Sequence, residues 1–354
     1  MTDNTWPTVD TELIDDVTLY SAKLIIPVTG PVIIDGAVAI HGDRVVHVGK
    51  RRWVLKALKQ EMTAHGTIHE RHWDGVLTPG LINAHTHLQY SGMVQVGQGT
   101  YDRFRAWELA FNEVYAEAQK TQPWKQWAED GARQMVESGT TAAADSVTDL
   151  DAAGALASQG MHGIAYWEVM GWHNAEWMEK GRTELIRQLR RMNEEQLPNL
   201  GISPHAPYTL ESEPFVDLPD IARQLNMRLH IHLAETPLEA GTYPPVLTTY
   251  SAADWSDHDW ESYRQLKEVG KGASAIQFVD QLGSLGPDVH IAHGVWANGE
   301  DRRILRQRGV GVALCPRSNR ITNTGKDAPV REYLEEGNLV SVGTDSLSST
   351  PTLD

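Results

Sequence analysis

At 354 residues, with 41% apolar and 22% charged residues, the chain has ordinary globular composition, and no apolar run approaches the about 18 residues that a membrane span needs. A formal charge of −16 disfavours a phosphate-backbone partner, so no nucleic acid is expected, and one cysteine excludes both an intramolecular disulfide and a multi-cysteine zinc site. Small-molecule chemistry remains, in a chain long enough for one large domain and a smaller one.

The opening MTDNTWPTVDTELIDD is polar and acidic where a secretory leader is basic and then apolar, so the cytoplasm is the expected compartment. From about Leu19 to Gly49, short β-like runs (AKLIIPV, VIIDGAVAIHG, RVVHVG) are broken by Gly and Pro and predict a small antiparallel sheet. Near Gly75 the period changes to brief apolar runs alternating with helical stretches, the pattern of repeated βα units. Eight strands are predicted, at 78–85, 140–146, 162–170, 200–207, 228–235, 289–295, 310–318 and 339–346, with helical segments such as RAWELAFNEVYAEAQ, WAEDGARQMVESG, RTELIRQLRRMNEE and DIARQLN between them. Eight strands predict a (β/α)8 TIM-type barrel over residues 78–354, preceded by a small domain over 1–77. An open doubly wound sheet is the alternative. The barrel is preferred because nearly every His or Asp of interest falls at a strand's C-terminal end, where barrels carry their chemistry. The 241–264 insert reads equally as a lid, an oligomer contact or a plain surface loop, and the chain stops soon after strand eight, leaving little sequence for a final helix.

His85-Thr86-His87 puts two imidazoles on one face of the first strand at the barrel mouth. Alone this is weak. Strand five adds His230 and His232, with Glu235 just beyond; strand six adds His290 and His293; strand eight adds Asp345 in GTDS. Imidazoles and a carboxylate converging from separate strand ends suit Zn²⁺, with a position left for water.

Taken together, PGLINAHTHL, SPHAPY, HIHLAET, AHGV, CPRSN and VGTDS resemble the amidohydrolase superfamily, in the branch of cytosine deaminases, nucleoside deaminases and triazine chlorohydrolases. The resemblance runs from about Leu19 to Asp354. It implies one divalent ion, Zn²⁺ first and Fe²⁺ or Mn²⁺ next, held by His85, His87, His232 and Asp345. Glu235 is implied as the proton shuttle, His293 and Asp345 as its catalytic companions, and His205 as a substrate contact. Asn319 of CPRSN and Glu168 are further expected substrate contacts; Glu168 as the ligand of a second metal is the less favoured reading. The resemblance also makes the N-terminal sheet part of a small β-sandwich whose companion follows the barrel, so the chain is expected to lack a C-terminal segment.

The implied activity is metal-dependent hydrolysis of a C–N bond. Water on Zn²⁺ loses its proton near neutral pH and attacks an amino-substituted C=N, while Glu235 protonates the ring nitrogen and then the departing ammonia. An amino-heterocycle or adenosine-like nucleoside, thioether or futalosine-like types included, is the expected small-molecule partner. Glu108, Glu113 and Glu117 are candidates for ribose hydroxyls, each equally readable as a solvated helix face. A chlorohydrolase or cyclic-amide hydrolase could use the same site, and a non-catalytic binding barrel is the rival of another class. Homo-oligomerisation is expected. His230 and His290 are read as structural, His230 pointing away from the metal, and Asp145 as a structural hydrogen-bonding group. His41, His47, His65, His69, His72 and His258 are read as surface or loop residues, and Cys315 as a packing thiol.

Overall fold

Alternating apolar residues along Val17–Ile25 (β1) and Ile33–His41 (β2) turn Val17, Leu19, Ala37 and Ala39 to one side of a sheet completed by Arg44–Lys50 (β3). Helix Arg51–Glu61 (α1) covers that side with Val54 and Leu58, spaced i, i+4. Ile68–Leu77 (β4) then adds to the free edge of β1, giving the order β3-β2-β1-β4. The sheet is therefore mixed: β1–β2 and β2–β3 are antiparallel, but β1–β4 is parallel. A purely antiparallel sheet fails here because α1 acts as a crossover and returns the chain in the direction of β1. His69, Arg71 and Trp73 are exposed on this edge strand and mask its period in the sequence. One sheet of the expected sandwich is present; a second is not found among the described residues.

The structure is a computed structural model that describes residues 13–194, 197, 199–241 and 272–353; apart from Gly241, the insert 241–264, with His258, lies outside them. The chain divides into two compact units at Gly80/Leu81.

In the second unit, eight parallel strands follow the chain: Leu81–Thr86 (β5), Thr140–Val147 (β6), His162–Val169 (β7), Leu200–Pro204 (β8), Arg228–Leu233 (β9), Val289–His293 (β10), Gly311–Leu314 (β11) and Leu339–Val342 (β12). Their order runs without reversal from β5 to β12, which excludes the doubly wound alternative, whose order must reverse at a switch point. The two ends of the sheet meet. The Asp345 N–H donates to the His85 carbonyl (2.9 Å), and the Asn83 side chain bonds Thr344 through both its oxygen and its nitrogen (3.1 and 2.6 Å). Gly343 permits this approach, since a Cβ there would fall 2.9 Å from the backbone of His85.

Helices Phe104–Thr121 (α2), Trp124–Glu137 (α3), Arg182–Glu194 (α4), Ser212–Gln224 (α5), Ala275–Gln281 (α6) and Gly299–Arg308 (α7) lie between the strands, as expected of a (β/α)8 barrel. Their apolar stripes, such as Ala128, Ala132 and Met135 of α3, join one continuous core with the strands. Ile82 of β5 and Val342 of β12 point outward and are exposed, because no described helix follows β12. No helix among the described residues is long and apolar enough to cross a membrane.

Candidate metal centre and substrate cavity

Parallel registry sets the depth of each side chain. His232 of β9 pairs with Ala292 of β10, so His293 stands one step nearer the mouth, while His230 pairs with His290 one layer below. Three strand ends carry left-handed backbone at non-glycine residues, Ala234 (φ 54°), His293 (φ 72°) and Asp345 (φ 60°). Each costs on the order of 1–3 kcal/mol, and such strain survives where surrounding structure enforces it. Here it turns consecutive side chains toward one point at the barrel mouth.

At that point His85, His87, His232 and Asp345 come together. Asp345 Oδ1 lies 3.5 Å from His85 Nε2 and 3.6 Å from His87 Nε2, and His87 Nε2 lies 3.2 Å from His232 Nε2. Metal–nitrogen bonds of about 2.0–2.1 Å in a tetrahedron place neighbouring donors about 3.3–3.4 Å apart, so these spacings fit one small ion. The donor chemistry fits as well. His232 donates its Nδ1–H to the His205 carbonyl (3.0 Å), which leaves the lone pair on Nε2, and His85 Nε2 is buried without a hydrogen-bond partner. Burial keeps the imidazoles neutral, pushing His87 down to about 3 and His232 well below its ordinary range.

Asp345 stays ionised: burial opposes this, but the polar groups around the carboxyl outweigh it and hold it well below its usual range. Its Oδ2 accepts from the hydroxyls of Ser318 (2.6 Å) and Ser349 (2.9 Å), and its Oδ1 from the Ser346 N–H (2.8 Å).

Glu235 faces the same point, 3.5 Å from His293 Nε2, with Tyr208 donating to its other oxygen at 3.1 Å. Burial raises its pKa. For His293, burial favours the neutral ring, but the carboxylates of Glu235 and Asp345 prevail and its pKa rises. The turn bearing Glu235 is held by Glu239, a fully buried carboxylate that accepts from the N–H groups of Ala234 (2.8 Å), Glu235 (2.8 Å) and Thr236 (2.9 Å). Sequence reading passed over Glu239, although Thr236-Pro237-Leu238-Glu239 carries the T-x-x-E pattern of a capping box and forms one.

A cavity of about 640 Å³ opens above the cluster, with His87, His232, His293, Glu235 and Asp345 on its floor. This is a usual size for a small-molecule site. His205 lies in its wall, its ring 4.7 Å from that of His232, and Glu168 lies at the floor, 3.8 Å from His87 Nδ1 and 3.7 Å from His232 Nδ1. Burial pushes Glu168 up to about 8. Glu108 also lines the cavity and is paired with Arg105 at 2.7 Å.

Several expectations need correction. Asn319 does not line the cavity; its amide oxygen accepts from His293 Nδ1 at 3.0 Å, from behind. Glu113 and Glu117 are exposed on the outer face of α2 and away from the cavity, Glu117 pairing with Lys120. The face of α2 that does reach it carries Trp107, Phe111 and Tyr115, an i, i+4, i+8 stripe that sequence reading overlooked in favour of the acidic residues. His230 points into the barrel beneath His85 and not away from it. Asp145 accepts from the Leu88 N–H at 2.9 Å, and Cys315 is a free, buried thiol whose pKa burial pushes up.

Comparison with known proteins adds the following. A sequence model described as "Amidohydrolase family" matches residues 76–243 and 246–354. A 5-methylthioadenosine/S-adenosylhomocysteine deaminase of Moorella thermoacetica is 30% identical over 93% of this chain and 70% of its own length. A 5'-deoxyadenosine deaminase of Methanopyrus kandleri is 30% identical over 79% of this chain, which spans 59% of that relative. Among solved structures, an adenosine deaminase from Xanthomonas campestris with bound zinc superposes with a TM-score of 0.71 at 22% identity, over 97% of this chain and 72% of the other.

Proposed function

Because the chain belongs to the amidohydrolase family, we propose that it is a deaminase of adenosine-like nucleosides, with residues 78–354 as the hydrolase barrel and 1–77 as its small sheet domain. The observation that carries this is the convergence of His85, His87, His232 and Asp345, three of whose donor pairs lie 3.2, 3.5 and 3.6 Å apart, beneath a cavity whose floor also presents Glu235. The divalent ion these four residues would hold, Zn²⁺ in the first place, would supply a water whose pKa is lowered to about 7.

The remaining work falls to the chain's own residues. Glu235 takes a proton at the nucleophile, delivers it to the ring nitrogen beside the amino-bearing carbon, and passes the next one to the departing ammonia. His293, whose Nδ1–H is fixed by Asn319, presents Nε2 toward Glu235 and the attacking oxygen. Tyr208 orients the Glu235 carboxyl, and Glu239 fixes the turn from which it projects. In this reading His205 would hydrogen-bond the heterocycle and Glu108 the ribose hydroxyls, while Glu168 borders the space between His87 and His232.

The cavity wall narrows the substrate. Trp107, Phe111, Tyr115, Trp167 and Trp172 give it a broad aromatic side, and its described lining contains Glu108, Glu184 and Gln188 but no Lys or Arg. Such a wall favours a nucleoside whose 5′ substituent is apolar and uncharged, as in methylthioadenosine or deoxyadenosine, over one bearing a carboxylate. One cysteine accords with a reducing cytoplasm, and self-association is part of the same reading.

Turnover tests the proposal when followed as ammonia release from adenosine, 5'-deoxyadenosine, methylthioadenosine, S-adenosylhomocysteine, cytosine and a pterin, as chloride release from a chlorotriazine and as ring opening of a cyclic imide. The expected order of kcat/KM is methylthioadenosine and deoxyadenosine first, with S-adenosylhomocysteine below them. Chloride release, imide opening, or no turnover of any compound by zinc-loaded protein would contradict it.

A further inference from the structure

Beneath the four-residue cluster the barrel holds two imidazoles that the proposed reaction does not use, the fully buried His230 and the half-buried His290. His85 Nδ1 lies 2.7 Å from His230 Nε2, and His230 Nδ1 lies 3.1 Å from the backbone carbonyl oxygen of His290. A carbonyl only accepts, so His230 carries its proton on Nδ1. With Nδ1–H so committed, His230 Nε2 faces His85 Nδ1 at hydrogen-bond distance and accepts from its N–H. This leaves the lone pair of His85 on Nε2, the buried atom with no partner in the protein, 3.5 Å from Asp345 Oδ1.

We propose that His230 is a positioning residue that fixes the tautomer and ring orientation of His85, with the His290 carbonyl as the anchor of the chain. The direction of the two hydrogen bonds is set from the bottom of the barrel upward: the fixed acceptor at His290 determines His230, and His230 determines His85. Registry makes this possible, because His230 and His290 are direct partners across β9 and β10 while His85 reaches in from the far side of the barrel. A ring present only for packing, against Tyr166 at 5.2 Å and the His290 ring at 4.8 Å, would need volume but no particular pattern of donor and acceptor. The inference rests on the reading of His85 as a metal ligand, since a tautomer matters only where its lone pair is used.

The experiment measures zinc affinity of metal-free protein by competition with a chromogenic chelator. His230→Leu keeps most of the volume and loses both hydrogen bonds; it is expected to weaken zinc binding about 10–100-fold. His230→Gln keeps an amide able to accept and to donate, and is expected to recover most of that loss. Wild-type affinity in His230→Leu, or a Gln variant as weak as Leu, would overturn the proposal. Two-bond ¹H–¹⁵N correlation spectra of histidine-labelled wild-type protein at neutral pH need no variant to fold. His85 and His230 are expected as Nδ1–H tautomers, and Nε2–H on either would overturn the assignment. His87→Ala separates the two levels: lost zinc there with His230→Leu unaffected removes the relay alone, whereas undiminished affinity in His87→Ala removes the metal reading and the inference with it.

Discussion

Replacing Glu235 with Gln is expected to leave zinc bound and to lower kcat by about 10²–10⁴, the range that a positioned proton-transfer group contributes. Gln has the same shape, and its amide oxygen can still accept from Tyr208 at the 3.1 Å now seen, so the turn held by Glu239 should persist. What it cannot do is take a proton from the nucleophile. The pH profile gives an independent check. Burial raises the Glu235 pKa, so the carboxyl keeps its proton to higher pH than an ordinary Glu near about 4.3. Because the shuttle must begin as a carboxylate, kcat/KM of the wild type should fall as pH drops through that raised value, and the residual activity of Glu235→Gln should lack this limb. Metal analysis and kcat/KM from pH 4 to 9 on one preparation decide the matter. Unchanged turnover, or an unaltered acid limb, would remove Glu235 from the mechanism.

His232→Ala is expected to strip the ion altogether, a larger loss than the about 10–100-fold that removal of an outer partner costs. The side chain supplies Nε2 to the cluster, 3.2 Å from His87 Nε2, and its Nδ1–H bond to the His205 carbonyl ties β9 to the end of β8. Truncation therefore removes a donor and also leaves a buried carbonyl without that partner. Metal content after dialysis against a weak chelator, with far-UV circular dichroism to verify the fold, is the measurement. A folded variant that keeps one equivalent of zinc would show that His232 is not a ligand.

Much of the cluster was legible in the sequence because strand periodicity carries direct geometric meaning. His85 and His87 at i, i+2 must share a face, and a parallel barrel brings the C-terminal ends of distant strands to one mouth. His232, His293 and Asp345 lie at such strand ends too, but choosing among them and His230 and His290 took the family resemblance and not the period. For His230 the reading departed from that rule: it shares the face of His232 and lies one layer deeper, against His85. Asn319 was misplaced because its helix, Pro316–Ile321, begins only after β11, and its side chain reaches back to His293 from outside the cavity. The seryl groups on Asp345 come from the short helix after β11 and the turn after β12, whose joint placement no periodicity encodes. The aromatic stripe of α2 and the capping glutamate, by contrast, each left a readable spacing. The parallel edge strand β4 did not, its alternation hidden by charged and aromatic residues on an exposed edge.

The claim on which the rest depends is that four side chains from three strand ends share one ion. Anomalous diffraction at the zinc edge from crystals grown with zinc tests it most directly. One peak is expected, about 2.0–2.2 Å from Nε2 of His85, His87 and His232 and from Oδ1 of Asp345. A peak elsewhere, or a second one bridged by Glu168, would contradict it.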